Sequence, residues 1–89
     1  MKDILIYTVD YCPFCKKAEL LLNSKGVLYK KIDISSNEDE WRKKIGNYYD
    51  IDGRVTVPQI IIGGKRIGGY DVLQKLDNSG ELDKILEIS

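Results

Sequence analysis

The alternation of apolar and polar positions divides the chain into short, sharply punctuated elements. "DILIYT" (3–8) is a continuous apolar run of strand length, the pattern of a strand covered on both faces. From Cys12 the period becomes helical: Phe14, Ala18, Leu21, Leu22 and Lys25 fall near one stripe, and Gly26 follows as a stop. "VLYKKIDI" (27–34) predicts a second strand, and its paired lysines suit an edge position. "SSNEDEWRKKIGNYY" (35–49) predicts a helix, with Ser35 three residues before Glu38 in capping-box spacing and Trp41, Ile45 and Tyr48 at helical intervals. After the loop "DIDGRVT", "VPQIII" (57–62) reads as a third strand, and Gly63-Gly64 turns a two-residue hairpin into "KRI" (65–67). "GGYDVLQKLDNSGELDKILEI" (68–88) closes the chain as one helix broken near Ser79-Gly80, or as two short ones.

The resulting order is β-α-β-α-β-β-α. A strand-helix-strand opening implies a parallel pair with a right-handed crossover, and the glycine hairpin adds an antiparallel partner. The expected architecture is therefore α/β, a four-stranded mixed sheet flanked by helices.

At 89 residues the chain has room for one core, so residues 1–89 are expected to form a single domain. Lys plus Arg and Asp plus Glu balance at 14 each, which gives no basis for a nucleic-acid or anionic-membrane binder. The longest apolar runs, "ILIY" and "IIIG", fall far short of the roughly 20 residues of a membrane span. No cleavage site follows the first apolar run, so no secretory signal is read and a cytoplasmic location is the default. Histidine is absent, which excludes a Cys-His nucleophile and every mixed Cys/His zinc pattern.

The candidate chemistry lies in "YCPFC" (11–15), which holds both cysteines. With the first helix beginning there, Pro13 takes the first helical position, where its missing N–H costs nothing. Cys12 then sits at the helix mouth, where backbone N–H groups and the helix dipole favour a thiolate. That assigns Cys12 as the nucleophile. Cys15, one turn on and inside the helix, lies within disulfide reach as the resolving thiol. A structural disulfide closing so small a loop constrains the unfolded chain little. A zinc site needs four ligands, and only a dimer would supply them. Redox chemistry is the favoured use of the pair, and no metal ligands are assigned.

Three stretches resemble one family. "YTVDYCPFCKKAELLLNSKGVLYKKIDI" (7–34) is similar to the opening of bacterial dithiol glutaredoxins, "TVPQIIIGGKRIGG" (56–69) to their second block, and "GGYD" (68–71) to the segment after it. The resemblance runs in order over essentially the whole chain. It implies a thioredoxin fold and a glutathione-dependent thiol–disulfide oxidoreductase acting on disulfide-containing and glutathionylated proteins. Cys12 would attack and hold the glutathione sulfur, and a redox-active Cys12–Cys15 disulfide would form with protein disulfides. Glutathione would be a co-substrate and no cofactor would stay bound; the protein would act as a monomer, with neither nucleic acid nor membrane as partner.

The same resemblance implies a glutathione site. Thr56, Val57 and Pro58 match the family's cis-proline segment, whose Val backbone pairs with the ligand like an added strand. Read alone, Pro58 is equally a residue that starts a strand. Gly69, Tyr70 and Asp71 fall where the family holds the γ-glutamyl end at a helix start, a place suited to an anion; Asp71 also suits plain N-capping. Phe14 stands where members often have tyrosine, whereas Tyr7 reads as core. The chain departs from the pattern at Val9 and Asp10, where many members carry Lys or Arg for the glycyl carboxylate. Lys44 is the compensating cation carried into the site, with Arg42 beside it. Two alternatives follow: a redoxin served by thioredoxin reductase or another low-molecular-weight thiol, and an iron–sulfur carrier, against which the stiff Pro13 argues. An interaction module with idle cysteines is a third.

Overall fold

The computed structural model describes residues 3–87. Strand β1 (Ile4–Thr8) leads into helix α1 (Pro13–Ser24), followed by β2 (Lys30–Asp33), a 3-10 turn (Ser35–Asn37) and α2 (Glu38–Tyr48). Then come β3 (Gln59–Ile62), β4 (Lys65–Gly68), α3 (Tyr70–Ser79) and α4 (Glu81–Ile85). The sheet order is β2-β1-β3-β4, with β1 parallel to β2 and antiparallel to β3, and β3 antiparallel to β4. This is the mixed four-stranded sheet that the pattern predicts, with the lysine-bearing β2 on an edge.

Both faces of the sheet are covered, which explains the unbroken apolar runs of β1 and β3. Ile4, Ile6, Ile60 and Ile62 pack against Ala18 and Leu22 of α1, Leu73 of α3, and Leu82 and Leu86 at the C-terminal end. Tyr7, Val9 and Ile61 on the opposite face meet Ile34, Ile45 of α2 and Val55, with Trp41 partly buried beside them. Each such aliphatic side chain contributes about 1.5–3 kcal/mol by leaving water. Tyr7 is thus core, as read. Among the described residues no helix is long and apolar enough to cross a membrane.

Three expectations change in detail, and the alternative left open for the C-terminal segment is decided. Residues 27–29 are outside β2: Val27 turns into the core while Leu28 is 86% exposed, so the alternation there belongs to a loop end. The capping box does not form. The Ser35 hydroxyl donates to Asp33 Oδ1 at 2.5 Å and accepts the Asp10 N–H at 2.9 Å, and the freed first turn tightens into the 3-10 segment. Phe14 leaves the buried stripe of α1 and is 55% exposed; Cys15 takes its place beside Ala18 and Leu22. The C-terminal segment is two helices, with Gly80 in a left-handed conformation (φ 84°) between them. The expected end of that segment at Ile88 lies outside the described residues. The hairpin is as expected, Gly63 and Gly64 both having positive φ (59° and 80°), the requirement of a type I′ turn.

Candidate active site

The end of β1 delivers the chain to the cysteine motif. Cys12 is the N-cap of α1, extended at φ −101° and ψ 110°, with Pro13 locking the first turn. Its sulfur accepts the Cys15 backbone N–H at 3.2 Å, and its thiol reaches the Val57 carbonyl at 3.7 Å. No acidic side chain stands in the first turn of α1 to oppose negative charge there. Cys12 is half-buried, and both cysteines are free thiols.

Cys15 faces the protein interior at 1% exposure. Burial pushes its thiol up to about 12, reinforced by its hydrogen bond and charge interaction with Cys12, while a hydrogen bond to the Val9 backbone pulls the other way. One turn of helix therefore separates a reachable sulfur from a protonated, shielded one.

Opposite Cys12 the Val57–Pro58 peptide is cis, as the resemblance implies. Beneath that loop the buried Gln59 donates through Nε2 to the Thr56 carbonyl at 2.8 Å, and Arg66 Nη1 donates to Gln59 Oε1 at 3.4 Å. The N-terminus of α3 lies alongside, with Gly69 as its N-cap. A Cβ on Gly69 would come within 3.3 Å of Asp71 Oδ1 and 3.5 Å of the Pro58 carbonyl, so the absent side chain permits this close approach.

These segments enclose a groove of about 420 Å³, lined by Phe14, Lys17, Thr56, Val57, Pro58, Gly69, Tyr70, Asp71 and Gln74. Cys12 adjoins it through Val57. The Phe14 and Tyr70 rings stand 6.1 Å apart across its α1 and α3 walls. The fold thus brings together every predicted groove residue but Lys44. Lys44 points away on α2, its Nζ 3.7 Å from Glu40 and 5.5 Å from the Trp41 ring centroid. Ile45 anchors that helix in the core, which turns its neighbour Lys44 outward. Arg42 is also committed elsewhere, to Glu38 and to the Val55 carbonyl.

Lys17 and Gln74 line the groove without having been singled out in the sequence. Their signal is helical spacing: Lys17 follows Phe14 by one turn, and Gln74 follows Asp71 by one turn. Lys17 places its Nζ 5.3 Å from the Phe14 ring centroid and is the basic residue of a lining that also holds Asp71. Val9, at 3% exposure, faces the core and has no part in the groove.

A mixed sheet in this order, with a dithiol at the mouth of its first helix and a cis X-Pro peptide across from it, defines a redox protein of the thioredoxin fold. Comparison with known proteins narrows the class. The glutaredoxin family model matches residues 4–67. "Glutaredoxin 1" of Rickettsia bellii is 44% identical over 88 residues, spanning 94% of this chain and 86% of that protein. "Glutaredoxin 3" of Escherichia coli K12 is 41% identical over 87 residues, spanning 98% of this chain and 100% of that protein. Among solved structures, a buckwheat glutaredoxin–glutathione complex superposes with a TM-score of 0.84 at 26% identity, covering 99% of this chain and 83% of that one. The chain belongs to the glutaredoxin family, whose members are in general thiol–disulfide oxidoreductases.

Proposed function

We propose that this protein is a glutathione-dependent thiol–disulfide oxidoreductase that reduces protein–glutathione mixed disulfides and protein disulfides. The observation that carries the reading is the Cys12 sulfur beside the Val57 carbonyl, at the edge of the groove that ends at Gly69, Tyr70 and Asp71. An extended thiol peptide pairing with the Val57 backbone brings its sulfur toward Cys12. Its α-carboxylate meets the N–H groups at the start of α3, and its amino group meets the Asp71 carboxylate. Phe14 flanks the ligand, and Lys17, in the same lining as Tyr70 and Asp71, supplies a cation to that α-carboxylate. The buckwheat relative's complex with glutathione supports this choice of thiol.

In the first step the Cys12 thiolate attacks the glutathione sulfur of the mixed disulfide. The protein–glutathione S–S bond breaks, a Cys12–glutathione S–S bond forms, and the protein thiolate leaves and takes up a proton. A second glutathione, as thiolate, attacks that glutathione sulfur; oxidised glutathione departs with the two electron equivalents removed, and Cys12 is again a thiolate. With a protein disulfide, Cys12 attacks one sulfur, and Cys15 then loses its proton and attacks Cys12. The reduced protein is released, and the Cys12–Cys15 disulfide is reopened by two glutathiones. The setting this chemistry needs is a reducing compartment, which we take to be the cytoplasm.

The test is turnover of a glutathionylated peptide with glutathione as reductant, run beside dithiothreitol and thioredoxin reductase with thioredoxin omitted. The expected result is rapid turnover with glutathione that Cys12→Ser abolishes. Turnover with another reductant and none with glutathione would overturn the proposal in favour of a redoxin served by a different electron donor.

A further inference from the structure

A polar cluster behind the groove takes no part in the chemistry described so far. The Tyr11 hydroxyl, on the residue before Cys12, donates to both carboxylate oxygens of Glu38, at 2.6 and 2.7 Å. Arg42 Nη2 donates to Glu38 Oε1 at 2.6 Å, and Arg42 Nη1 donates to the Val55 carbonyl. Val55 is buried and stands one residue before Thr56, at the root of the loop that faces Cys12. Tyr11 itself is 67% exposed, so its hydroxyl rather than packing pins its ring.

Both sides of the reactive gap therefore converge on one carboxylate. The loop carrying the nucleophile reaches Glu38 through Tyr11, and the loop opposite reaches it through Arg42. The gap between them is the approach of the Cys12 thiol to the Val57 carbonyl at 3.7 Å. Charge-assisted hydrogen bonds of this kind are short and directional, which suits them to fixing a distance. Ion pairs this close to solvent add little to global stability. Their effect falls on geometry, and a nucleophile's rate is steeply sensitive to geometry.

From this arrangement we infer that Glu38 is a positioning residue: through Tyr11 and Arg42 it sets the distance between Cys12 and the Thr56–Val57–Pro58 wall, and so aligns a wall-bound sulfur for attack. The inference rests on the thiol–disulfide activity proposed above. Glu38 touches neither the thiol nor the reacting sulfurs in this scheme. A ligand held by the wall and by α3 stays bound when the network is cut, but its sulfur is less well aligned. The loss should therefore appear in kcat with KM held.

The experiment uses Tyr11→Phe, which removes one oxygen from an exposed ring, and Glu38→Gln, which keeps the side-chain volume, together with the double variant. With the glutathionylated peptide and glutathione, each single variant is expected to lower kcat roughly fivefold at unchanged KM. The double variant is expected to lose no more than Glu38→Gln alone, because the two residues act as one unit. A parallel arm reads reduction of insulin disulfides with dithiothreitol, which needs no glutathione. Failure of the glutathione reading shows as wild-type protein inactive in the first arm while the variants remain deficient in the second. The inference itself is overturned by wild-type kcat in the variants, by losses that multiply in the double variant, or by a lower Tm with unchanged kcat.

Discussion

Cys12 and Cys15 are three residues apart but differ in burial, and the order of use proposed for them follows from that. Burial pushes the Cys15 thiol up to about 12, so it stays protonated at neutral pH. Two of the causes that raise it, the hydrogen bond and charge interaction with Cys12, act only while Cys12 is free. Once Cys12 is in a mixed disulfide both are removed, and Cys15 becomes easier to ionise when its attack is needed. Iodoacetamide at neutral pH should therefore alkylate Cys12 alone in the native protein, as read by peptide mass spectrometry; modification of Cys15 at a similar rate would contradict the assignment. Cys15→Ser should keep mixed-disulfide turnover and lose most insulin reduction. A second residue-scale prediction concerns Thr8, which is buried with its hydroxyl unpaired among the described residues. Thr8→Val removes a polar atom that is kept from water without compensation, and should stabilise the protein by about 1 kcal/mol, seen as a higher denaturant midpoint at unchanged m.

At the scale of elements, the α3 N-terminus reaches the groove because Gly69 has no side chain to meet Asp71 and the Pro58 carbonyl. Gly69→Ala strains no dihedral, since φ there is −91°. It pushes instead against the Asp71 carboxylate, and should raise the KM for glutathione roughly threefold to tenfold while kcat stays close to wild type. An unchanged KM would remove α3 from the proposed binding site. Apolar spacing made β1, α1, the hairpin and the covered sheet legible, because each pattern has one stable solution at this length. It misplaced Ser35, since a capping box and a 3-10 turn begin with the same residues; Asp33 and Asp10 decide between them, from a strand end and a loop that the sequence does not place side by side. The groove was legible where backbone or motif defines it, as at Val57, Pro58 and Gly69. It was illegible where a helix's rotation decides, as with Lys44 outside and Lys17 and Gln74 inside.

For the whole molecule, the polar contacts that brace the Cys12 loop and those that brace the helical layer respond to opposite ends of the pH scale. Hydrogen bonds from the Ser35 hydroxyl and N–H hold the Asp33 carboxyl below its usual range. The Tyr11 hydroxyl and then Arg42 do the same for Glu38, with Arg54 adding a smaller attraction. A depressed carboxyl supports the fold fully above its unfolded value, about 4, and that support is lost as pH falls through the lower folded value. Lys25 works in the other direction: Asp77 and then Asp83 raise it by pairing with its ammonium at 2.5 and 2.8 Å, tying the end of α1 to α3 and α4. Its support is complete below the unfolded lysine value, about 10.4, and fades only as pH rises through the folded one. Stability measured by urea denaturation should therefore be flat from about pH 5 to about pH 9 with respect to these groups, and decline below about pH 4. Because Asp33 and Glu38 both secure the loop that carries Cys12, the acid limb should differ between variants. Because these contacts lie close to solvent, each contributes little: Glu38→Gln should lessen the decline below about pH 4 only slightly, whereas Lys25→Met should leave it intact and lessen the small loss above about pH 10. An acid limb unaltered by Glu38→Gln would mean that other carboxylates carry the linkage and that the Cys12 loop is not where acid first acts.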